Sequence, residues 1–221
     1  LAPMGSLYNF PYYQKHMEAY GLTKENDWIE IQIDPRCETP ERVLRVDRIV
    51  RERYHLRVDK VHSAKELVAK YGDTFMDVLD EAYQQLYNFQ PMTERQKKYY
   101  KQMYFPLLNF DFVTIVVNEK DEIVGLGMGM PDISEALCKC KGHLFPFGWY
   151  HVLKALRAKP DYQGYGVNAV IMAEQHPYFH KYGIKRVETT SIMETNTRNI
   201  SNWLMYPHKI HKRRRAFSMS L

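Results

Sequence analysis

The segment from Lys159 to Val170, KPDYQGYGVNAV, has the residue types of a phosphate-binding loop. Gly164 and Gly166 lie two residues apart, with Gln163 before them and an apolar, helix-like run after them. Glycines at a helix start let backbone N–H groups face an anion, which the positive end of the helix dipole attracts. We therefore expect Gly164–Asn168 to present N–H groups to one open cleft where the following helix begins.

A second glycine-rich segment, GLGMGM, lies before Pro131 and does not have the dinucleotide-binding spacing. Gly125, Gly127 and Gly129 fall on one face of a predicted strand, because strand side chains alternate with a period of two. A face without side chains admits a close neighbour. We expect that neighbour to be a packed helix, with a ligand as the alternative.

A third group, CKCKGH, offers Cys138, Cys140 and His143 as possible metal ligands. Only three ligands lie close together, and Cys-x-Cys is not a usual spacing for structural zinc. We expect ordinary thiols here and no metal in the protein. The chain has three cysteines in all, too few for a disulfide framework, and we expect a cytoplasmic location.

The net charge of +5 is concentrated in HKIHKRRR, residues 208–215, which contains five Lys/Arg and no acid. Strand alternation would put Arg213 and Arg215 on the side of Phe217, and Lys212 and Arg214 on the other side. The favoured interpretation is a solvated edge strand that resists pairing, followed by contact with ligand phosphates and then by nucleic acid. The charges in the rest of the chain balance, which argues against nucleic acid as a partner.

The 221 residues contain no apolar run near the length of a membrane span, so we expect no membrane partner. The alternation in DWIEIQID predicts a strand over Asp27–Asp34, and PRCETPER after it has the composition of a linker. We predict an N-terminal extension and linker over residues 1–45 and a compact domain over residues 46–221. The chain begins without an initiator Met, and we expect a longer parent chain ahead of it.

Two helix starts after residue 55 have Ser or Thr followed three residues later by Glu or Gln. Ser63 opens a helix whose apolar stripe continues to Leu86, and Thr93 opens a shorter helix to about Tyr104. Two strands around a polar turn then predict a hairpin. The remaining order is helix, glycine loop, helix, strand, helix and strand, which predicts an α+β (mixed α/β) fold.

This order, from about Val46 to Leu221, resembles the GNAT family of acyl-CoA N-acyltransferases. The family's loop has the pattern [QR]-x-x-G-x-[GA], which Gln163 and Gly166 match, while Asn168 departs from it and can cap the helix. The segments YNFPYY, LTERQ, LFPFG, YQGYGVNA and HKRRR also resemble large bacterial GNAT-like proteins. The resemblance implies a central, mostly antiparallel sheet flanked by helices.

The resemblance also implies a function, which is acyl transfer from acetyl-CoA, as a co-substrate, to a small-molecule or peptide amine. It implies that Tyr206 protonates the leaving thiolate and that Glu188 is a candidate general base. An asparagine, Asn196 or Asn199, should open the helix before Tyr206, and Asn199 has the family's seven-residue step. The implied cofactor-binding residues are Gln163, Gly164, Tyr165, Gly166, Val167, Asn168 and Asn199.

The alternative function is a non-catalytic GNAT-fold module that serves as a binding or structural part of a larger protein. Homo-oligomers are compatible with either function. A GNAT loop also follows a central strand, but only Arg157, Ala158 and Lys159 separate Leu156 from Pro160. Because a strand and its turn need more residues, we predict that a segment of about ten residues is absent near Arg157–Ala158.

We predict that Gly166→Val abolishes binding of coenzyme A and leaves the fold largely intact. A valine side chain would occupy the space through which the phosphates approach the backbone. Isothermal titration with coenzyme A, together with the far-UV circular dichroism of both proteins, measures the two effects. Unchanged binding in the folded variant would remove this loop from the site.

Overall fold

The computed structural model describes residues 8–72, 74–84, 86–141, 143, 145–157, 162–165 and 169–219. It confirms the mixed α+β fold with antiparallel strand pairs. The chain divides into two compact units. The first unit contains Leu1–Asp34, Pro131–Gln163 and Arg186–Leu221, and the second contains Pro35–Met130 and Gly164–Lys185.

The helices within the described residues are α1 (Tyr12–Ala19), α2 (Glu41–Tyr54), α3 (Ala64–Tyr71), α4 (Thr74–Tyr83), α5 (Glu94–Tyr104), α6 (Ser134–Cys140), α7 (Gly148–Arg157), α8 (Ala169–Lys181) and α9 (Thr197–Trp203). The strands are β1 (Thr23–Ile33), β2 (Arg57–Asp59), β3 (Val113–Val117), β4 (Ile123–Pro131), β5 (Tyr162–Tyr165), β6 (Val187–Thr189), β7 (Ile192–Met193) and β8 (His208–Ser218). No helix among the described residues is long and apolar enough to cross a membrane.

The first unit is organised around β1. This strand pairs antiparallel with β8 from Thr23 to Ile33, and it pairs with β6 and β7 along its other edge. Residues 23–33, which belong to the predicted N-terminal extension, thus form the strand on which the C-terminal strand is built. The linker prediction holds only for a short stretch, since α2 begins at Glu41.

The second unit contains the predicted hairpin, in which β3 pairs with β4 and also with β2. All five residues of β3 are buried, so both of its faces are covered. One face belongs to a core cluster that β3 forms with residues from the helical segments: Val61, Leu67, Phe75, Met76, Val113, Ile115 and Val117. The other face packs Val116 against Val170 and Ile171 of α8.

The long helix predicted from Ser63 to Leu86 is two helices. Ser63 caps α3 by accepting a hydrogen bond from the Glu66 N–H at 3.1 Å. The helix ends at Gly72, whose φ of +56° is a conformation that favours glycine, and α4 begins at Thr74. The apolar stripe continues across this break because both helices cover the same core. The capping box of Thr93 with Gln96 is confirmed at the start of α5.

The short strand β5 contains part of the predicted glycine loop, since Gln163, Gly164 and Tyr165 all lie in it. It ends just before the start of α8. Loop residues themselves thus form a strand, and the absent segment predicted near Arg157–Ala158 stays a prediction. The chain at residues 158–161 lies outside the described residues.

The glycine face of β4 is explained by packing at Gly127. A Cβ atom built on Gly127 would lie 2.1 Å from Cγ2 of Ile171 and 3.2 Å from Nε2 of Gln175, both on α8. Real Cβ atoms do not approach another carbon so closely. At this position the absence of a side chain lets the helix lie on the strand, as we expected from the glycine spacing.

We predict that Gly127→Ala destabilises the protein by about 1–3 kcal/mol, because the new methyl group overpacks the contact with Ile171. Urea unfolding of both proteins measures the difference. The cost should be smaller when it is measured in an Ile171→Ala background, which removes Cγ2. An equal loss of unfolding free energy in both backgrounds would show that the contact with Ile171 is not the reason that position 127 requires glycine.

Candidate functional site

The predicted cofactor segment is only partly described. Gln163, Gly164 and Tyr165 lie in β5, whereas Gly166, Val167 and Asn168 lie outside the described residues. The helix predicted after the loop is present, and its first turn is buried from Ala169 to Met172. The expected cleft lined by N–H groups from Gly164 to Asn168 therefore stays a prediction.

A cluster of charged side chains surrounds Glu30 and Glu188 in the first unit. Glu30 lies on β1 and is 1% exposed, and Glu188 lies on β6 with 17% of its side chain exposed. Each carboxylate comes close to the other where β6 and β7 are interrupted. At the interruption, Ile31 N–H donates to the side-chain Oγ1 of Thr189 at 3.0 Å.

Cations from β8 face both carboxylates. Lys212 Nζ contacts Glu188 Oε1 and lies 3.2 Å from Glu30 Oε2. Arg214 donates to Glu30, and the Ser191 hydroxyl donates to Glu30 Oε1 at 3.1 Å. The Glu30 carboxylate thus has two hydrogen-bond donors and the nearby Lys212 ammonium, whereas Glu188 has Lys212 and the neighbouring ring of His211. We call the group formed by Glu30, Glu188, Ser191, His211, Lys212 and Arg214 the acid–base cluster.

The two carboxyl groups of the cluster have opposite pKa shifts. Burial, and next its hydrogen bond with Glu30, raise the pKa of Glu188 above its usual value, although Lys212 and His211 oppose this. Burial also acts to raise the pKa of Glu30, but its hydrogen bonds with Glu188 and Arg214 outweigh it and leave that pKa lowered. Glu188 is therefore the carboxyl of the pair that takes up a proton first.

Glu30, Glu188 and His211 also have the spacing of a metal site, since one ligand atom from each lies within 4.8 Å of the others. The His211 Nε2 atom is 3.2 Å from Glu188 Oε1. The Lys212 ammonium, however, already contacts both carboxylates and provides the positive charge that a metal would bring. The arrangement therefore favours proton chemistry over metal binding.

A second buried carboxylate, Asp27 on β1, faces cations on the other side of β8 and is 0% exposed. Arg215 donates to both of its oxygens at 2.8 and 3.0 Å, and Arg213 donates to Oδ2 at 2.8 Å. The predicted alternation of the basic strand is confirmed, with Arg213 and Arg215 on one face and Lys212 and Arg214 on the other. Strand β8 is paired only with β1 among the described strands, and four of its five Lys/Arg residues, Lys212 to Arg215, contact the buried acids Asp27 and Glu30.

Tyr206 follows α9 and is 3% exposed, and Trp203 at the end of this helix is 5% exposed. Both side chains are therefore buried, and Tyr206 is no more exposed than Trp203. Asn196 caps α9 by accepting a hydrogen bond from Asn199 N–H at 3.1 Å, so Asn196 is the asparagine that opens the helix. Asn199 Oδ1 is buried and has no hydrogen-bond partner among the described residues.

The second unit contains an apolar cavity of about 260 Å³. It lies between α4, α5 and β4, and its lining includes four methionines and three tyrosines: Met76, Met92, Met128, Met130, Tyr83, Tyr100 and Tyr104. Ligand pockets usually measure about 300–1,000 Å³ and combine apolar walls with a few convergent polar groups. This cavity is small and apolar, so we take the acid–base cluster as the candidate functional site.

The cysteines predicted to be ordinary thiols show no convergence in the described residues. Cys138 is exposed, and Cys140 is buried with its Sγ donating to the Gly148 carbonyl oxygen at 2.9 Å. Sequence reasoning identified Glu188 but missed Glu30 and His211 of the acid–base cluster. The available signal was that Asp27 and Glu30 stand among the apolar residues Trp28, Ile29 and Ile31 of β1, which complements the five cations of residues 208–215.

No family model matches the sequence, and no curated protein matches it. Solved structures share its fold. A GCN5-related N-acetyltransferase from Sphaerobacter thermophilus aligns with a TM-score of 0.53 and 13% identity, over 97% of this chain and 56% of that chain. A GCN5-related glucosamine N-acetyltransferase region in a fungal multi-domain GH3 beta-N-acetylglucosaminidase aligns with a TM-score of 0.53 and 10% identity, over 97% of this chain and 23% of that chain.

This chain thus spans about half of the first of those proteins and about a quarter of the second. At such low identities the likeness is one of fold, and it covers nearly all of this chain. The chain has the fold of the GCN5-related N-acetyltransferases, as the order of its elements predicted.

We predict that Asp27→Asn destabilises the protein by about 2–3 kcal/mol at pH 7, because two guanidinium groups lose a buried partner while remaining partly solvated. The hydrogen bond from Arg215 is the main reason that the pKa of Asp27 lies well below its usual value. A lowered pKa stabilises the fold above the unfolded value of about 3.9, and this contribution is lost as the pH falls through the folded value.

Urea unfolding at pH 7 and at about pH 3 tests this expectation. The difference between the wild type and the Asp27→Asn variant should shrink at the lower pH, where the unfolded chain already binds the proton. A difference that does not depend on pH would show that Asp27 contributes through packing and not through its charge.

Proposed function

We propose that this chain is an acyl-CoA-dependent N-acyltransferase that transfers an acetyl group from acetyl-CoA to an amine. The fold of the GCN5-related N-acetyltransferases supports the proposal, since the chain matches two such proteins over 97% of its length. The observation that carries it is Glu188, a largely buried carboxyl whose pKa is raised beside Glu30, whose pKa is lowered. Pairs of carboxyl groups whose pKa values are shifted in opposite directions are typical of acid–base sites.

Glu188 acts as the general base in this proposal. An amine that attacks the thioester carbonyl must lose a proton, and a carboxylate accepts it more readily as its pKa rises towards the working pH. Lys212 holds the Glu188 Oε1 atom in place, and His211 Nε2 at 3.2 Å offers a second acceptor for the proton. Glu30, whose pKa is lowered, remains ionised, and its Oε2 atom lies 3.2 Å from Lys212 Nζ.

Acetyl-CoA supplies the acetyl group as a thioester, and the chain must bind its amide-containing arm. Asn199 Oδ1 supports this binding, because it is a buried acceptor with no hydrogen-bond donor among the described residues. An unsatisfied buried acceptor is costly, and an N–H group of a bound pantetheine arm would satisfy it. The residues from Gln163 to Asn168 are proposed to bind the phosphates, immediately before the start of α8.

Tyr206 is proposed to return a proton to the leaving thiolate from its phenolic hydroxyl. Its side chain is 3% exposed, so the hydroxyl is shielded from bulk water. A shielded donor can protonate a leaving group only when the substrate reaches into the same part of the unit. The acceptor that fits this chemistry is a small-molecule or peptide amine in its neutral form.

A second function, a non-catalytic binding or structural module, is favoured by one observation. Both carboxylates of the acid–base cluster are ion-paired with Lys212 or Arg214, as in a network that only holds β8 on β1. In that case the raised pKa of Glu188 would be a consequence of burial without a role. Binding of acetyl-CoA and the behaviour of a Glu188 variant separate the two functions.

We predict that acetyl-CoA raises the Tm of the protein with increasing concentration, since a ligand that binds only the folded state stabilises it. In the Glu188→Gln variant this shift should persist, while release of coenzyme A in the presence of a panel of amines should fall by about 100-fold or more. The shape of the side chain is kept, and only its ability to accept a proton is lost.

The matched control is Glu194→Gln, which changes a carboxylate that binds Lys24 and Arg213 next to Asp27 instead of in the acid–base cluster. This variant should retain both the thermal shift and the rate. No shift with acetyl-CoA in the wild type would overturn the enzyme proposal in favour of the structural module. A shift with equal rates in both variants would remove Glu188 as the base.

A further inference from the structure

Two histidines on α8 converge with a backbone carbonyl in the second unit. The Nε2 atoms of His176 and His180 are 3.1 Å apart, and they lie 2.8 Å and 3.0 Å from the Cys37 carbonyl oxygen, respectively. Their spacing of four residues places both side chains on one face of the helix. Three atoms from two separate segments thus form a nearly equilateral triangle.

Hydrogen bonding cannot make all three sides of this triangle attractive. A neutral imidazole has one N–H group, and a carbonyl oxygen has none to donate. If both Nε2 atoms carry a proton, two donors face each other across 3.1 Å. If either Nε2 atom lacks its proton, its lone pair faces the lone pairs of the Cys37 oxygen. One contact is therefore unfavourable in every tautomer.

A metal cation makes all three contacts attractive, and the triangle has the right size for one. Histidine nitrogens bind zinc at about 2.0–2.1 Å, and a tetrahedral site separates its ligand atoms by about 3.3 Å. With sides of 2.8–3.1 Å, a cation about 2.0 Å from each atom would lie about 1 Å above the plane of the triangle. The ligands need only a small outward shift.

We propose that His176, His180 and the carbonyl oxygen of Cys37 form a binding site for a divalent transition-metal cation, with water completing its coordination. Two imidazoles select zinc, nickel, copper or cobalt over magnesium and calcium, which prefer oxygen ligands. His180 is exposed and provides the route from solvent, while His176 is 1% exposed and fixes the inner ligand. A bound cation would fasten the segment before α2 to α8.

The chemistry of His176 suits this role. Burial lowers the pKa of His176 below its usual value, against the opposing effect of the hydrogen bond with Cys37. A metal ligand must be neutral, so a ring that resists protonation binds metal without first having to release a proton. The site lies outside the acid–base cluster, and it does not depend on acyl transfer.

Zinc titration of the full chain, first stripped with a chelator, tests the proposal. A competition assay with a chromogenic chelator gives the Kd, and the Tm is measured in parallel. We expect zinc to bind and to raise the Tm, while magnesium at the same concentration does neither. His180→Ala, which changes an exposed side chain, should weaken zinc binding by about 100-fold or more while the metal-free variant keeps its circular dichroism spectrum.

Two matched variants define the donor set. His211→Ala removes the histidine of the acid–base cluster, and Cys37→Ser keeps the backbone carbonyl while removing the thiol. Both should bind zinc with the affinity of the wild type. Zinc affinity that is unchanged in His180→Ala, lost in His211→Ala or lost in Cys37→Ser would overturn the proposed site. Absence of any effect of zinc on the wild type would overturn it as well.

Discussion

Two carboxylates buried in one strand govern the structure of the first unit. Asp27 and Glu30 are 0% and 1% exposed, and an ionised carboxylate can be buried only when cations and hydrogen-bond donors replace its water. All but one of the cations that face them come from β8. The C-terminal strand must therefore return to β1, and it pairs with β1 along its full length. The alternation of side chains along β8 then determines whether each cation faces Asp27 or Glu30.

The same constraint shapes the candidate site. On the face of Glu30, β6 adds a further carboxylate, Glu188, so that the nearby cations are shared between two acids. The acid that is less well compensated has its pKa raised, which is the property that a general base needs. Because all of these side chains stand on paired strands, their positions are fixed by the sheet and not by a loop. A network that stabilises the strands can in this way also hold a proton acceptor.

In the second unit, α8 is constrained on two sides. Its residue Ile171 lies against the bare backbone of Gly127, and its histidines His176 and His180 face the carbonyl of Cys37. The first contact depends on the absence of a side chain, and the second on three polar atoms that a cation would reconcile. Both contacts hold α8, the helix that follows β5, in its position. The position of this helix is thus determined by packing and polar chemistry together.

The sequence by itself determined the fold class, the β3–β4 hairpin, the capped helix starts and the alternation of charges in the basic strand. These features depend on local periodicity and on neighbouring residues, which a single chain displays directly. Glu188 was also identified, through the resemblance to the GNAT family. The single helix predicted from Ser63 to Leu86 was wrong, because an apolar stripe does not reveal where Gly72 turns the chain. Composition likewise did not reveal that residues 23–33 pair with the C-terminal strand.

Only the tertiary structure decided that Glu30 and His211 join Glu188, that the basic strand neutralises buried acids, and that β5 begins within the predicted loop. Each of these facts depends on residues far apart in the chain, such as Glu30 and Lys212, becoming direct neighbours across a ladder. A pKa depends on burial and on those neighbours, so it cannot be assigned before the strands are paired. The sequence thus determined which charges were present, and the sheet decided which of them meet.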